Sequence, residues 1–188
     1  MPTRDHIIEA ADRLFYERGF ESTSFADIAG AVGISRGNFY HHFKSKDDIL
    51  EAVIALRTAR TQAMLDQWAA EGDSPEERIR CFVRILIANR TKIMQHGCPV
   101  GTLSSELAKL DHALQPQASS LFTLFRAWLR QQFAALGRKK DADTLAMQLL
   151  ARSQGVASLA NAFHDAAFIK SEVEQMNLWL AAVAAGKH

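Results

Sequence analysis

Patterns that predict β-strands are almost missing from this sequence of 188 residues. It has no Asn-Gly or Asp-Gly dipeptide and no sustained alternation of polar and apolar residues, which are the usual marks of hairpins and half-buried strands. Apolar residues instead recur every three or four positions along most of the chain, which is the spacing of one helix face. The sequence therefore predicts an all-α protein.

Cysteine and long apolar runs are also scarce. Cys81 and Cys98 are the only two cysteines, so no disulfide framework is implied and a reducing compartment is expected. No uncharged apolar run approaches the roughly 18–20 residues needed to cross a bilayer, and the polar start MPTRDHIIEA lacks the apolar core of a signal peptide. We therefore expect a cytoplasmic protein with no membrane partner.

Sequence motifs for catalysis and for metal binding are missing as well. There is no nucleophile elbow, P-loop or dinucleotide-binding fingerprint, and no HxxxH, CxxC or clustered carboxylate pattern. The expectation is a protein that is not an enzyme and that holds no metal and no cofactor. The formal net charge of +1 does not by itself indicate a partner.

The sequence does contain a pair of short, capped helical patterns within residues 22–48. FADIAGAV follows Ser24, and Asp27 three residues later completes a capping-box pattern. RGNFYHHF follows Ser35, which is a second N-cap residue, and the segment 33–35 between the two patterns predicts a tight turn. This arrangement predicts a helix-turn-helix, a motif whose second helix enters the major groove of DNA.

The charge pattern of this segment supports DNA as the partner. Between Arg36 and Lys46 there are three cations and no acid, so positive charge is concentrated on the predicted recognition helix. Arg36 and Asn38 lie in its first turn, where arginine can bind guanine and asparagine can bind adenine, each with two hydrogen bonds. Gly37 between them allows a close approach of the backbone. Ser24 and the amides beside it can hold a phosphate.

The remaining helices follow from apolar stripes and from cap and stop residues. The three-helix head is predicted to occupy residues 1–46, with the start of the fourth helix extending it to about residue 60. A helical effector-binding and dimerisation domain is predicted for residues 47–188. The predicted helices after the head span about residues 46–70, 74–97, 102–110, 117–136, 143–168 and 171–185.

The head resembles the TetR family of bacterial transcriptional regulators. The resemblance covers about residues 4–60 and is carried by Ala10-Ala11, Leu14-Phe15, Gly19-Phe20, Thr23-Ser24, Asp27-Ile28-Ala29, Gly33-Ile34-Ser35, Phe39-Tyr40-His41-His42-Phe43 and Lys44-Ser45-Lys46. It implies that Tyr40 and His42 contact phosphates, that His41 contacts a base or the backbone, and that Lys46 binds a phosphate. The predicted DNA site is Ser24, Ser35, Arg36, Gly37, Asn38, Tyr40, His41, His42 and Lys46.

Two ways of controlling the regulator stay open at this point. An apolar effector could enter a cavity lined by aromatic residues of the body, namely Trp68, Phe82, Phe122, Phe125 and Trp128. Alternatively, Cys98 could be oxidised or alkylated, because His96, Lys92 and Lys109 lie near it in the sequence and cations favour a reactive thiolate. A turn cysteine that packs or lines a pocket is the other interpretation of Cys98.

A homodimer is expected because one recognition helix contacts only a few base pairs. The apolar helix ending near Leu136 and the small-residue helix after it can form a four-helix bundle across a two-fold axis. Burial of both helices within one chain is the alternative. The predicted interface residues are Leu121, Phe125, Trp128, Leu149, Ser153 and Ala157.

These patterns together predict a homodimeric repressor that binds operator double-stranded DNA. A small-molecule effector of unknown identity, or modification of Cys98, would release it. The fourth helix is the expected lever, because it alone is predicted to lead continuously from the head into the body. The alternative is a helical protein–protein adaptor whose head does not bind DNA.

Overall fold

A computed structural model describes residues 3–186 and contains ten helices and no strand within that range. The all-α prediction is therefore confirmed. The helices are α1 (Thr3–Arg18), α2 (Phe25–Val32), α3 (Arg36–His42), α4 (Lys46–Glu71), α5 (Pro75–Ala88), α6 (Arg90–His96), α7 (Pro99–Lys109), α8 (Gln115–Ala135), α9 (Ala142–Phe163) and α10 (Ala166–Ala184).

The chain forms two compact units, which we call the head unit and the body unit. The head unit contains the chain up to Thr61 together with Pro99–Leu121, and the body unit contains Gln62–Cys98 and the chain from Phe122 onward. The predicted head, with its extension along the fourth helix to about residue 60, lies within the head unit, which also contains Pro99–Leu121. A segment distant in sequence joins the head because its apolar residues enter the same core.

The head unit is built around the fully buried side chains of Ile7, Ile28, Phe39 and Ile49. These residues come from α1, α2, α3 and α4, so each short helix contributes its apolar face to one core. Leu107 of α7 is buried in the same core. Because α2 has 8 residues and α3 has 7, neither helix would be stable alone, and packing holds both in place.

The turn between α2 and α3 is closed by Gly33, which adopts a left-handed conformation with φ 72°. Its amide and that of Ile34 both donate to the carbonyl of Ala29, at 2.9 and 3.1 Å. Glycine is the residue that takes this conformation at little cost. The predicted tight turn therefore has a specific backbone cause.

The body unit consists of longer helices that pack by apolar faces, with α10 against α5 and α9 against α6. Its most buried side chains include Ile79, Val83, Phe133, Met176 and Leu180. Two helices, α4 and α8, each continue from one unit into the other. The sequence predicted that the fourth helix alone leads from the head into the body. In the structure α8 also continues from one unit into the other.

Two of the predicted body helices are interrupted. The helix expected over residues 74–97 divides at Asn89 into α5 and α6, where the Asn89 side-chain amide donates to the Ile85 carbonyl at 3.1 Å. The helix expected over residues 143–168 ends at Phe163, because His164 adopts a left-handed conformation and Asp165 caps α10 through the amides of Ala167 and Phe168.

Helix α7 begins earlier than predicted. It starts at Pro99 instead of residue 102, since proline at the first position of a helix lacks an amide that would be unpaired there anyway.

Within residues 3–186, none of the helices has the length and apolar character needed to cross a membrane.

Candidate nucleic-acid interface

Helix α3 presents one buried face and one exposed face. Ser35 caps it, with the hydroxyl accepting a hydrogen bond from the Asn38 amide at 3.3 Å. Phe39 is 1% exposed and anchors the helix in the head core, whereas Asn38 and His41 lie on the surface. The exposed face of α3 therefore carries polar groups, and the buried face anchors the helix in the head core.

Tyr40 is held by aromatic contacts, and the residue remains 47% exposed. The ring centroid of Phe25 lies 5.6 Å from that of Tyr40 and 5.1 Å from that of Phe39. This cluster limits the positions of Tyr40 without covering it. A half-exposed ring of this kind can direct its hydroxyl toward a phosphate. His42, also predicted to contact phosphate, is half-buried at the end of the helix.

Gly37 has open space around the position of a side chain. A β-carbon built there meets no atom within 4 Å, and the residue is exposed in the first turn of α3. Packing within the head does not require glycine at this position. The backbone of Arg36 begins α3, and its side chain lies outside the described part of the structure.

Helix α2 begins with the capping box predicted from the sequence. The Asp27 amide donates to the Ser24 hydroxyl at 3.2 Å, and the Ser24 amide donates to the Asp27 carboxylate at 2.8 Å. Hydrogen bonds from the Ser24 hydroxyl and amide lower the pKa of Asp27 below its ordinary value of 3.8. The Ser24 groups are thus engaged within the protein, and its contact with phosphate stays a prediction.

Lys46 also has partners within the head unit. Its amine donates to the carbonyls of Phe20 and Glu21 at 3.0 and 3.4 Å, and it lies 4.2 Å from the centroid of the Phe20 ring. The side chain is half-buried. Its predicted role as a phosphate ligand is untested, and the geometry gives it a second role in holding the loop before α2.

Several groups near this surface are not among the predicted DNA-contact residues. Lys44 is exposed, and its amine donates to the Tyr40 carbonyl at 2.8 Å, which adds a cation at the end of α3. Ser45 and Asp48 form a second capping arrangement, and the pKa of Asp48 is lowered by the hydroxyl and amide of Ser45. The Ser-x-x-Asp spacing was the available signal.

Two family models match the chain over most of its length. The model for bacterial regulatory proteins of the tetR family matches residues 7–53, and the model for the C-terminal domain of LmrA/YxaF-like transcriptional regulators matches residues 75–175. The second match alone covers more than half of the 188 residues. The chain belongs to the TetR family.

Relatives and solved structures agree with this assignment. The HTH-type transcriptional repressor DhaR of Mycobacterium sp. is 26% identical over 164 residues, covering 82% of this chain and 80% of DhaR. A regulator from the lacX 3' region of Lactococcus lactis is 26% identical over 176 residues, covering 92% and 90%. The crystal structure of a TetR regulator from Legionella pneumophila superposes with a TM-score of 0.84 at 26% identity, covering 95% and 97%.

This TetR-family protein is therefore a helix-turn-helix transcriptional regulator, as its sequence predicted, and its homologues are transcriptional regulators too. Among the residues that the structure describes, no group of three His, Cys, Asp or Glu side chains is arranged to hold a metal ion.

The aromatic residues predicted to bind an effector fall into separate groups in the body unit of the regulator. Trp68 and Trp128 have ring centroids 5.8 Å apart, and Phe82 and Phe125 have centroids 5.6 Å apart. Phe122 instead lines an open groove between α8 and α9. Cys98 is half-buried between α6 and α7 and forms no disulfide. The effector site stays a prediction.

The predicted dimer-interface residues belong to the buried faces of α8 and α9. All six are buried within a single chain: Leu121, Phe125, Trp128, Leu149, Ser153 and Ala157. Apolar periodicity identified the buried faces of α8 and α9, and the part these residues take in a dimer stays a prediction. The outward side of the two helices carries other residues, including Thr123, Arg126, Met147, Ala151 and Gln154 along the groove.

Proposed function

We propose that this regulator is a homodimeric repressor that binds operator DNA through α3 and the start of α2. The observation that carries the proposal is the exposed, acid-free face of α3, with Asn38, Tyr40 and His41, on a helix anchored by Phe39. Asparagine can read adenine in the major groove, and tyrosine and histidine can bind phosphates and base edges. The proposal assigns no catalytic role to any residue.

Dimerisation is proposed through the outward side of α8 and α9. Three exposed apolar residues of α9 support it, because Met147, Leu159 and Phe163 are 41, 46 and 73% exposed in the single chain. Large apolar side chains in contact with water on one helix favour association with a second copy. Two recognition helices would then reach half-sites about 34–36 Å apart on one side of the DNA.

Release from DNA is proposed to follow from linkage between the effector and the spacing of the two heads. An effector weakens DNA binding only to the extent that it prefers the conformation unable to bind. Both α4 and α8 run from one unit into the other, so either helix can transmit the change. The Phe82–Phe125 pair supports an apolar effector, and Cys98 supports a covalent one.

The test is binding of the purified protein to promoter DNA that flanks its own coding region, at two salt concentrations. We expect specific binding that weakens steeply with salt, because phosphate contacts release counterions. Asn38→Ala should reduce specific binding, whereas Gln175→Ala, which truncates an exposed amide on α10, should not. Absence of specific binding, with no effect of Arg36→Ala combined with Lys46→Ala, would favour the adaptor alternative.

A Cys98→Ser variant then separates the two kinds of control. Loss of operator binding after oxidant or alkylating treatment of the wild type, but not of the variant, supports covalent control. An unchanged response of the variant to the inducer eliminates control through Cys98, and operator binding of the wild type that ignores the treatment points to a ligand that binds without a covalent bond.

A further inference from the structure

The loop between α1 and α2 is held by a carboxylate that lies 85 and 86 residues further along the chain. The amides of Phe20 and Glu21 each donate to one oxygen of Glu106 on α7, both at 2.9 Å. A carboxylate that accepts two amide hydrogen bonds in this way defines the position and orientation of the loop.

The same loop is held from its other side by Lys46. Whereas its amides donate to Glu106, its carbonyls accept from the Lys46 amine, at 3.0 Å for Phe20 and 3.4 Å for Glu21. Gly19, the first residue of the loop, has φ 91°, and a β-carbon there would lie 2.9 Å from a Glu106 oxygen. The loop thus has an anion on its donor side and a cation on its acceptor side.

Helix α7 is attached to the rest of the head unit near both of its ends. At its start, the buried Arg57 guanidinium donates to the Pro99 carbonyl at 2.7 Å. Beyond its end, His112 lies 3.3 Å from the Asp47 carboxylate, and its ring stacks edge-on against Phe20 with centroids 5.2 Å apart. Glu106 therefore extends from a helix that is fixed relative to the loop it binds.

The loop determines where α2 begins. Thr23, two residues after Glu21, is buried and donates from its hydroxyl to the Gly19 carbonyl at 2.7 Å. Ser24 follows at once as the N-cap of α2. A displacement of residues 20–21 would shift the start of α2, and through the Gly33 turn it would shift α3 as well.

From this geometry we propose that Glu106 is a positioning residue for operator binding. It does not contact DNA; it fixes the start of α2 so that the helix-turn-helix fits its specific site. The proposal rests on the proposed function, since it requires that the head bind an operator. It makes α7, which is far from the helix-turn-helix in the sequence, part of the DNA-binding apparatus.

The direction of the expected effect distinguishes this role from a simple charge effect. Removing a negative charge from a DNA-binding protein strengthens its general attraction to phosphates. Glu106→Ala should instead weaken specific operator binding about tenfold, because both amide hydrogen bonds to the carboxylate are lost. Glu106→Gln keeps one acceptor oxygen and should give an intermediate loss. Binding to unrelated DNA should be unchanged or tighter for both variants.

The experiment compares wild type, both Glu106 variants and Glu174→Gln, a matched loss of charge at an exposed site on α10. Each protein is titrated with operator DNA and with unrelated DNA at a temperature well below its unfolding midpoint. Hydrogen exchange is measured at the Phe20 and Glu21 amides. Faster exchange together with a lower ratio of specific to unspecific binding, absent in Glu174→Gln, supports the proposal.

Two results would go against different claims. If exchange at these amides rises and the binding ratio equals that of the wild type, Glu106 holds the loop without positioning the DNA-binding helices. If the wild type itself binds no operator specifically, the proposed function fails instead. Should Glu106→Ala not fold, Glu106→Gln alone decides between these outcomes.

Discussion

The head unit and the body unit of this TetR-family regulator are stabilised by different means. In the head, the starts of α2 and α4 are fixed by capping arrangements at Ser24 and Ser45, and buried or half-buried polar contacts of Arg57, Lys46 and Glu106 hold the connecting segments. In the body, helices of 14–22 residues such as α5 and α9 pack through continuous apolar faces. Loss of a polar contact can therefore shift the helices of the head while its apolar core stays intact. The stability of the body depends mainly on apolar packing.

The largest expected effect is the loss of packing in the body. Phe133 is fully buried and its ring lies 6.0 Å from that of Trp179. Phe133→Ala should lower the free energy of unfolding by about 4 kcal/mol, because it removes buried apolar area and leaves a cavity. Leu178→Ala, at a 64% exposed site, should change it by less than about 0.5 kcal/mol. Urea denaturation measures both free energies of unfolding. Equal effects of the two substitutions would contradict the view that buried apolar packing stabilises the body.

A smaller loss is expected from the buried polar contacts of the head. The Arg57 guanidinium bonds the Asp12 carboxylate at 2.6 Å as well as the Pro99 carbonyl. Arg57→Ala should cost about 2–3 kcal/mol, since it leaves acceptors unpaired in a largely buried site. The exposed Arg60 pairs with Glu9, and Arg60→Ala should cost about 0.5 kcal/mol or less. Comparable costs in denaturant titrations would mean that burial of Arg57 is unimportant.

The turn of the helix-turn-helix should be sensitive to backbone strain alone. Gly33→Ala places a side chain at φ 72° and should destabilise the protein by about 1–2 kcal/mol, although a β-carbon there meets no atom within 4 Å. Gly30 is also unobstructed but helical, so Gly30→Ala should stabilise by about 0.5–1 kcal/mol. Thermal unfolding of the Gly33→Ala and Gly30→Ala variants measures both effects. A stabilising Gly33→Ala would show that the turn has another conformation.

The head and the body also differ in how much of their structure could be predicted from the sequence. The caps at Ser24 and Ser35 and the Gly33 turn were predicted, because each depends on residues within four or five positions. The contact of Glu106 with residues 20–21 could not be predicted, since nothing in a local pattern indicates a partner 86 residues away. In the body, periodicity predicted the helices and their apolar faces.

Periodicity does not distinguish a helix face that packs within the chain from one that would meet a partner. Leu149 and Ala157 lie on the buried face of α9, and Met147 and Leu159 lie on its exposed face. Both faces contain apolar residues, so the sequence pattern alone cannot distinguish the core of one chain from a contact between two. The breaks at Asn89 and His164 were missed for a related reason, because a single residue with an unusual backbone conformation interrupts an otherwise regular stripe.

A variant at Gly37 would separate DNA contact from stability in the head. Because Gly37 is helical and unobstructed, Gly37→Ala should raise the free energy of unfolding by about 0.5–1 kcal/mol. The added methyl group should nevertheless weaken operator binding about fivefold if the backbone approaches DNA closely. Gly30→Ala supplies the control for stability. Unchanged operator affinity in Gly37→Ala would show that the first turn of α3 stays clear of the DNA.

The smallest effect concerns the pH dependence of the α2 cap. Since the Ser24 hydrogen bonds lower the pKa of Asp27 in the folded state, folding favours the deprotonated carboxylate. The cap then contributes its full stability above the ordinary pKa of 3.8 and loses it as the pH falls through that value toward the lower folded-state pKa. The stability difference between wild type and Asp27→Asn should be constant from about pH 5 to 8 and shrink below about pH 4.

Ser24→Ala tests whether the hydroxyl is the cause of this dependence. The hydroxyl is the main group that lowers the Asp27 pKa, and its removal leaves the Ser24 amide as the remaining partner within the capping box. The loss of stability of Ser24→Ala on acidification to pH 4 and below should therefore be smaller than that of the wild type, as measured by urea denaturation. If the two proteins lost stability in parallel, the acid dependence would come from other carboxylates, such as the Arg138-paired Asp141, whose pKa is also lowered. The α2 cap would then not be the source of the acid dependence.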